Sequence, residues 1–529
     1  MRDFHQPGRS AVFAENGLAA TSHPLAAQLA VETLKRGGNA ADAAAAAALL
    51  LGFCEPQMTG LGGDAFVLLK PAGEERLVGL NGSGRAPAAA AAAAERLRAE
   101  GERVPELSPH AVTVPGAVAA FDRLLADHGR LGLADVLGPV IRYAEQGVPV
   151  APRVALDWAG APEKLQGAAR DFFLPGGRAP RPGDLFRAPG QAEALRLIAE
   201  RGAKAFYEGP VAEDMVESLR ALGGVHTLDD FAGCEAEYVE PVLGAYRDVE
   251  IAELPPNGQG ATALLMARLL ERFEIGRLEP FGAMRAHLEA EATKLAYDAR
   301  DRHVADAHPE SLARMLDPQT VERLAGLIDP RRALPDPAAA AAPAHAHHRD
   351  TVYVSVVDRD RMAVSLIYSI FQDFGSGLAS SRYGINFHNR GAGFTLQRGH
   401  PNEYAPGKRP MHTIIPAMLR REGRSVMPFG VMGGQYQPVG HARLVSNMVD
   451  FGLDPQAAID APRSFVEDGA LMLEQGYDAE TAKALEAKGH LVRRRPEPLG
   501  GAQAVLIDWE RGVLEGGSDP RKDGIALGW

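Results

Sequence analysis

Hydrophobic and polar positions change their rhythm along this chain. In the first half they read mainly as helices and loops, with some strands. Residues 23–36 (HPLAAQLAVETLKR) predict a helix that stops at Gly37-Gly38. Residues 39–52 restart one, with Asn39 or Asp42 near its N-terminus. That stretch is apolar nearly all round, so the helix is expected to be buried. Further helices are predicted at Gln191–Arg201, Ala261–Arg272 and 283–300.

The texture breaks at residues 335–350 (PDPAAAAAPAHAHHRD), which hold three prolines, an alanine run and no large apolar side chain. Such a stretch cannot build a core and reads as a linker. Its histidines, His345, His347 and His348, read as part of a solvated strand rather than as metal ligands. Past the linker, Thr351–Val357 alternates and is rich in β-branched residues. Asp358–Arg361 reads as a turn and Met362–Ile370 as a second strand, which makes a β-hairpin. More strands are expected at Gly384–Phe387, His412–Leu419, Ser425–Phe429 and Gln503–Asp508, with helices at Val439–Asp450 and Ala479–Lys488. Strands running beside helices favour a layered α+β fold over a doubly wound one.

Composition narrows the function. The chain has 529 residues, 46% hydrophobic and 23% charged, enough for a large core. Its net charge of −12 argues against a broad nucleic-acid or anionic-membrane footprint. The longest apolar run, Ala43–Phe53, is too short to span a bilayer, and the N-terminal stretch shows no apolar leader. Two cysteines, Cys54 and Cys234, make neither a disulfide framework nor a four-thiolate zinc site. The expectation is a soluble cytoplasmic protein.

Thr351 sits where the linker becomes a strand. If the chain is cut between Asp350 and Thr351, the new N-terminal threonine carries a hydroxyl and an α-amine. A free amine titrates near 7.7–8.0, so part of it is neutral at pH 7 and serves as general base for its own hydroxyl. An oxyanion hole is also needed. Gly433-Gly434 follows a predicted strand, and paired glycines let successive N–H groups approach a developing negative charge. Ser369, eighteen residues after Thr351, is returned toward it by the hairpin.

Together these residues resemble the γ-glutamyltransferase family of N-terminal-nucleophile hydrolases, over nearly the whole chain. The matching blocks include EPQMTGLGGDAFVLL, VTVPGAVAAFDRL, LPPNGQGATAL, KLAYDARDRHVAD, DTVYVSVVDRDRMAVSLIYSIFQDFGSG, GKRPMHTIIPAM and GGSDPRKDG. The resemblance implies a four-layer αββα fold. It also implies a precursor that cuts itself into a large subunit, residues 1–350, and a small one, residues 351–529, that stay associated; a dimer of this pair is left open. It makes Thr351 the nucleophile, Ser369 its activating hydroxyl, and Gly433 and Gly434 the oxyanion donors. No metal or organic cofactor is implied.

The substrate set departs from the family's. Ser83 stands where an Arg would hold a substrate α-carboxylate, and the nearest arginine is Arg85. Gly393 replaces the Asp for the α-amine, Phe371 an Asn, and His412-Thr413 a Ser-Ser pair. In their place stand Asn389 and Arg390, with Arg390 expected to clamp a small carboxylate and His412 and Thr413 to support it. The set resembles the oxamate-amidohydrolase-like branch. The expected activity is Thr-dependent hydrolysis of a small carboxylate-bearing amide. Glutathione hydrolysis or γ-glutamyl transfer, acylase action on a dicarboxylic side chain, and an unprocessed binding module remain alternatives.

Overall fold

The computed structural model describes residue 5 and residues 8–306, 309–335 and 351–529. Beyond Pro335, the expected linker, with its three histidines and Asp350, lies outside the described residues.

Two seven-stranded antiparallel sheets lie at the centre. The first runs in the order Val12–Ala14, Val513–Ser518, Gly501–Asp508, Arg424–Met432, Ala417–Arg421, Val249–Glu253, Val242–Tyr246. The second runs Ile525–Gly528, Gly17–Thr21, Val352–Asp358, Ala363–Ser369, Asp64–Lys70, Val78–Gly82, Glu237–Val239. Both sheets take strands from either side of residue 351. Leu18, Phe66, Tyr353, Ile367, Met418 and Val505 fill the space between them.

Helices cover the outer faces. Ala40–Cys54 and Ala117–His128 pack on the second sheet, and Gly260–Leu270 and Gln437–Val449 on the first. The order helix, sheet, sheet, helix is the α+β sandwich the sequence predicts. Every residue of Ala40–Cys54 is buried, as its all-round apolar pattern requires. A reciprocal cap starts this helix. The Asn39 side chain accepts the Ala41 and Asp42 N–H groups, and the Asp42 carboxylate accepts the Asn39 N–H at 2.8 Å.

The predicted hairpin forms with strands Val352–Asp358 and Ala363–Ser369. The Asp358 carboxylate closes it, accepting the Asp360 and Met362 N–H groups, and ties it to the buried helix through the Ala40 N–H. Two strand expectations need correction. Gly384–Phe387 is a loop held by isolated bridges. The expected strand His412–Leu419 is reduced to Ala417–Arg421, because the backbone of 412–415 bonds to a loop and to the Gln437 side chain instead of to a strand. No described helix is long and apolar enough to cross a membrane. Cys54 and Cys234 are both free.

Candidate active site

Register builds the centre of the site. Val352 pairs with Tyr368, which sets Thr351 beside Ser369, and Ser369 pairs with Asp64 on the next strand. Side chains directly opposite share one face of a sheet. Thr351, Ser369 and Asp64 therefore form a row across three neighbouring strands, and all three are fully buried.

Thr351 Oγ1 donates to Ser369 Oγ at 3.4 Å. Ser369 Oγ also accepts the Phe371 N–H at 2.8 Å and Arg390 Nη2 at 3.1 Å. Arg390 Nη1 donates to Thr413 Oγ1 at 2.9 Å, and the guanidinium lies 4.2 Å from the Phe371 ring centroid. Phe371 holds a φ of 80°, a conformation uncommon for a bulky residue, and this puts its N–H on Ser369. The Phe371 ring is thus a platform for the arginine. Asn389 braces the same loop through Gln372, with Nδ2 to Oε1 at 2.6 Å.

Asp64 belongs to this cluster although nothing in the sequence singles it out. Its Oδ1 accepts the Gly84 and Gly116 N–H groups at 3.2 and 3.0 Å, and its Oδ2 accepts His412 Nε2 at 3.0 Å. Burial would raise its carboxyl, but His388, His412 and Arg390 outweigh that and hold it at about 2. Burial and the Arg390 charge push His412 down to about 3. Burial lowers Arg390 to about 9 against the opposing pull of Asp64. At neutral pH the cluster is a carboxylate, a guanidinium and a neutral imidazole. Arg390 Nε and His412 Nδ1 have no hydrogen-bond partner among the described residues.

Gly433 and Gly434 follow the strand Arg424–Met432 with φ of 121° and 55°. These left-handed conformations are cheap only for glycine. Neither N–H has an acceptor among the described residues. Gln259 Nε2 links this turn to the rest of the site, donating to the Thr413 carbonyl at 2.8 Å and the Gly434 carbonyl at 3.2 Å. Arg300 holds Gln259 Oε1 at 3.0 Å and also bonds the Gln435 side chain. Gln259, Arg300 and Asp64 each stood inside a quoted sequence block without being singled out.

Arg85 is not drawn into the cluster. It is exposed and bonds Glu237, Asp306 and the Gly407 carbonyl. Gly393, in the turn that starts at Arg390, lines a cleft of about 580 Å³ with Arg103, Arg300, Phe394, His400 and Met411.

Among the described residues, His287, Glu291 and His490 offer three metal-ligand atoms within 4.8 Å of one another. Their hydrogen bonds are filled by protein. His287 bonds His490 and the Asp329 carbonyl, while Glu291 accepts Lys294 Nζ and the Leu334 N–H. The cluster ties down residues 329–334.

Comparison with known proteins decides the family. A model of the gamma-glutamyltranspeptidase family matches residues 26–529. The chain belongs to this family. It is 36% identical to the glutathione hydrolase-like YwrD proenzyme of Bacillus subtilis, over 97% of this chain and 98% of that one. The oxamate amidohydrolase proenzyme of Klebsiella pneumoniae is 34% identical, with the same coverage. A crystal structure of cephalosporin acylase from Bacillus halodurans superposes with a TM-score of 0.92 at 37% identity, covering 100% of this chain and 99% of that one. The gamma-glutamyltranspeptidase-family chain is accordingly an enzyme, a self-processing amide hydrolase with the N-terminal-nucleophile fold. Its similarity to proenzymes fits two subunits made from one precursor.

Proposed function

We propose that Thr351 is the nucleophile and that the precursor cuts itself at Asp350–Thr351. Thr351 Oγ adds to the Asp350 carbonyl, the C–N bond breaks, and the acyl group moves from N to O. Water then hydrolyses the ester, leaving residues 351–529 with a free Thr351 amine. In turnover that amine takes the Thr351 hydroxyl proton and returns it to the leaving amine, while the Gly433 and Gly434 N–H groups hold the oxyanion. Two unpaired glycine donors after a strand, and a hydroxyl 3.4 Å from Thr351, support this assignment.

The substrate we propose is an amide bearing a carboxylate with no neighbouring ammonium, such as oxamate. The observation that carries this reading is the buried Arg390 Nε–H without an acceptor, in a guanidinium bonded to the same hydroxyl that faces Thr351. A buried donor of this kind is costly unless a ligand satisfies it. Gly393 supplies no acid for an α-amine.

Kinetics on oxamate, glutaryl amides and γ-glutamyl amides test the proposal. Wild type should prefer the des-amino compounds, and Arg390→Ala should lower their kcat/KM at least about tenfold, the loss of one charge-assisted hydrogen bond. A neutral amide should be affected less. A clear preference for γ-glutamyl compounds would contradict the reading.

A further inference from the structure

The row Thr351–Ser369–Asp64 ends on a carboxylate that no assignment above uses in the reaction. A carboxylate only accepts hydrogen bonds, so the 3.0 Å contact makes His412 Nε2 the donor and leaves Nδ1 bare. Arg390 is fully buried on Ser369 Oγ, and Asp64 stands directly opposite Ser369 on the neighbouring strand, so its charge lies beside the guanidinium and opposes the cost of burying it. The guanidinium in turn donates to Ser369 Oγ, the atom facing Thr351 Oγ1.

We infer that Asp64 is a positioning residue for this site. Its charge holds Arg390 in place on Ser369, and its carboxylate sets the His412 tautomer. The hydroxyl that receives Thr351 Oγ1 is oriented as a result. The inference rests on Thr351 being the nucleophile. It adds the control of a step for which Thr351 has no free amine, since in the uncut chain that nitrogen is still an amide.

Asparagine at position 64 separates this role from a structural one. Its side-chain oxygen still accepts the Gly84 and Gly116 N–H groups. Its amide, however, donates toward His412 Nε2 and reverses the tautomer, and Arg390 loses its counter-charge. In a serine-protease triad the equivalent change costs about 10⁴-fold in turnover.

The experiment follows the appearance of the chain starting at Thr351, and turnover on oxamate or a glutaryl amide, in full-length wild type, Asp64→Asn, Arg390→Gln and the double variant. Asp64→Asn should slow both processes at least about 100-fold, a conservative share of the triad effect. In self-cleavage the double variant should match Arg390→Gln within about twofold, because Asp64 reaches Ser369 through Arg390 and no printed bond of His412 touches either hydroxyl. Asp64→Asn near the wild-type rate, or losses that multiply, would overturn the inference. If Asp64→Asn does not fold because its arginine is left uncompensated, the double variant should fold and give the same comparison. A double variant that also fails to fold contradicts the inference, since Asp64 would then hold the fold. Wild type uncut at Thr351 would sink the nucleophile assignment. Wild type cut there, with Asp64→Asn cut equally fast, would sink only this inference.

Discussion

Thr351 Oγ1 and Ser369 Oγ face each other at 3.4 Å across the two strands of one hairpin. That hairpin was visible as an alternating, β-branched pattern around a polar turn. Its register, rather than any single motif, brings the two hydroxyls together. Ser369 is also a junction, because Arg390 and the Phe371 N–H donate to the same oxygen.

Ser369→Ala should therefore do more than remove one hydroxyl. It removes the acceptor of a guanidinium N–H in a buried site, at about 1–3 kcal/mol. Self-cleavage should slow at least about tenfold, at roughly 1.4 kcal/mol per tenfold in rate. Gel densitometry of precursor and product over time checks this. Cleavage at the wild-type rate would remove Ser369 from the account.

The glycine turn proposed as the oxyanion hole makes a second prediction. Valine at Gly433 would be strained at φ 121°, and its Cβ would meet Gly500 Cα at 2.8 Å, so that variant reports on folding. Alanine at Gly434, with φ 55°, is the milder probe, because the left-handed region costs a non-glycine residue about 1–2 kcal/mol. Gly434→Ala should stay folded and lose turnover by displacing one donor, up to about 100–1,000-fold if the donor is lost outright. Turnover within about twofold of wild type would place the hole elsewhere.

A pH dependence follows from Glu55. It is buried and accepts the Ser22 hydroxyl, and burial raises its carboxyl to about 7. A raised folded value means that its stabilising neutral form is present at low pH and is lost as pH rises from 4.5 through about 7. Glu55→Gln keeps the acceptor and cannot ionise. Its unfolding free energy relative to wild type should rise between pH 5 and pH 8, toward a gap on the order of 3 kcal/mol. A flat or falling difference would show that Glu55 is ionised at little cost.

Much of the layered fold was legible because the elements carry local signals: caps at Asn39 and Asp42, a glycine stop after Lys35, and an alternating hairpin. What was illegible depends on distant partners. Gly384–Phe387 has the composition of a strand, yet its bridges go to Gly62 and Ala379 and no ladder forms. Residues 412–415 spend their backbone groups on Asn257, Gln259 and Gln437. Arg85 looked available until Glu237 and Asp306 were beside it. Asp64 begins an apolar strand after a glycine-rich turn, where nothing local marks a carboxylate that bonds a histidine more than 300 residues away.

The central claim is that this chain makes its own nucleophile, and the N-terminus of the small chain tests it most directly. Purified wild type, incubated without protease, should resolve into two chains, the smaller covering residues 351–529, 179 residues whose first residue by N-terminal sequencing is Thr351. Thr351→Ala should remain a single chain of 56.2 kDa. Cleavage at another bond, or cleavage of Thr351→Ala at the same place, would contradict the account.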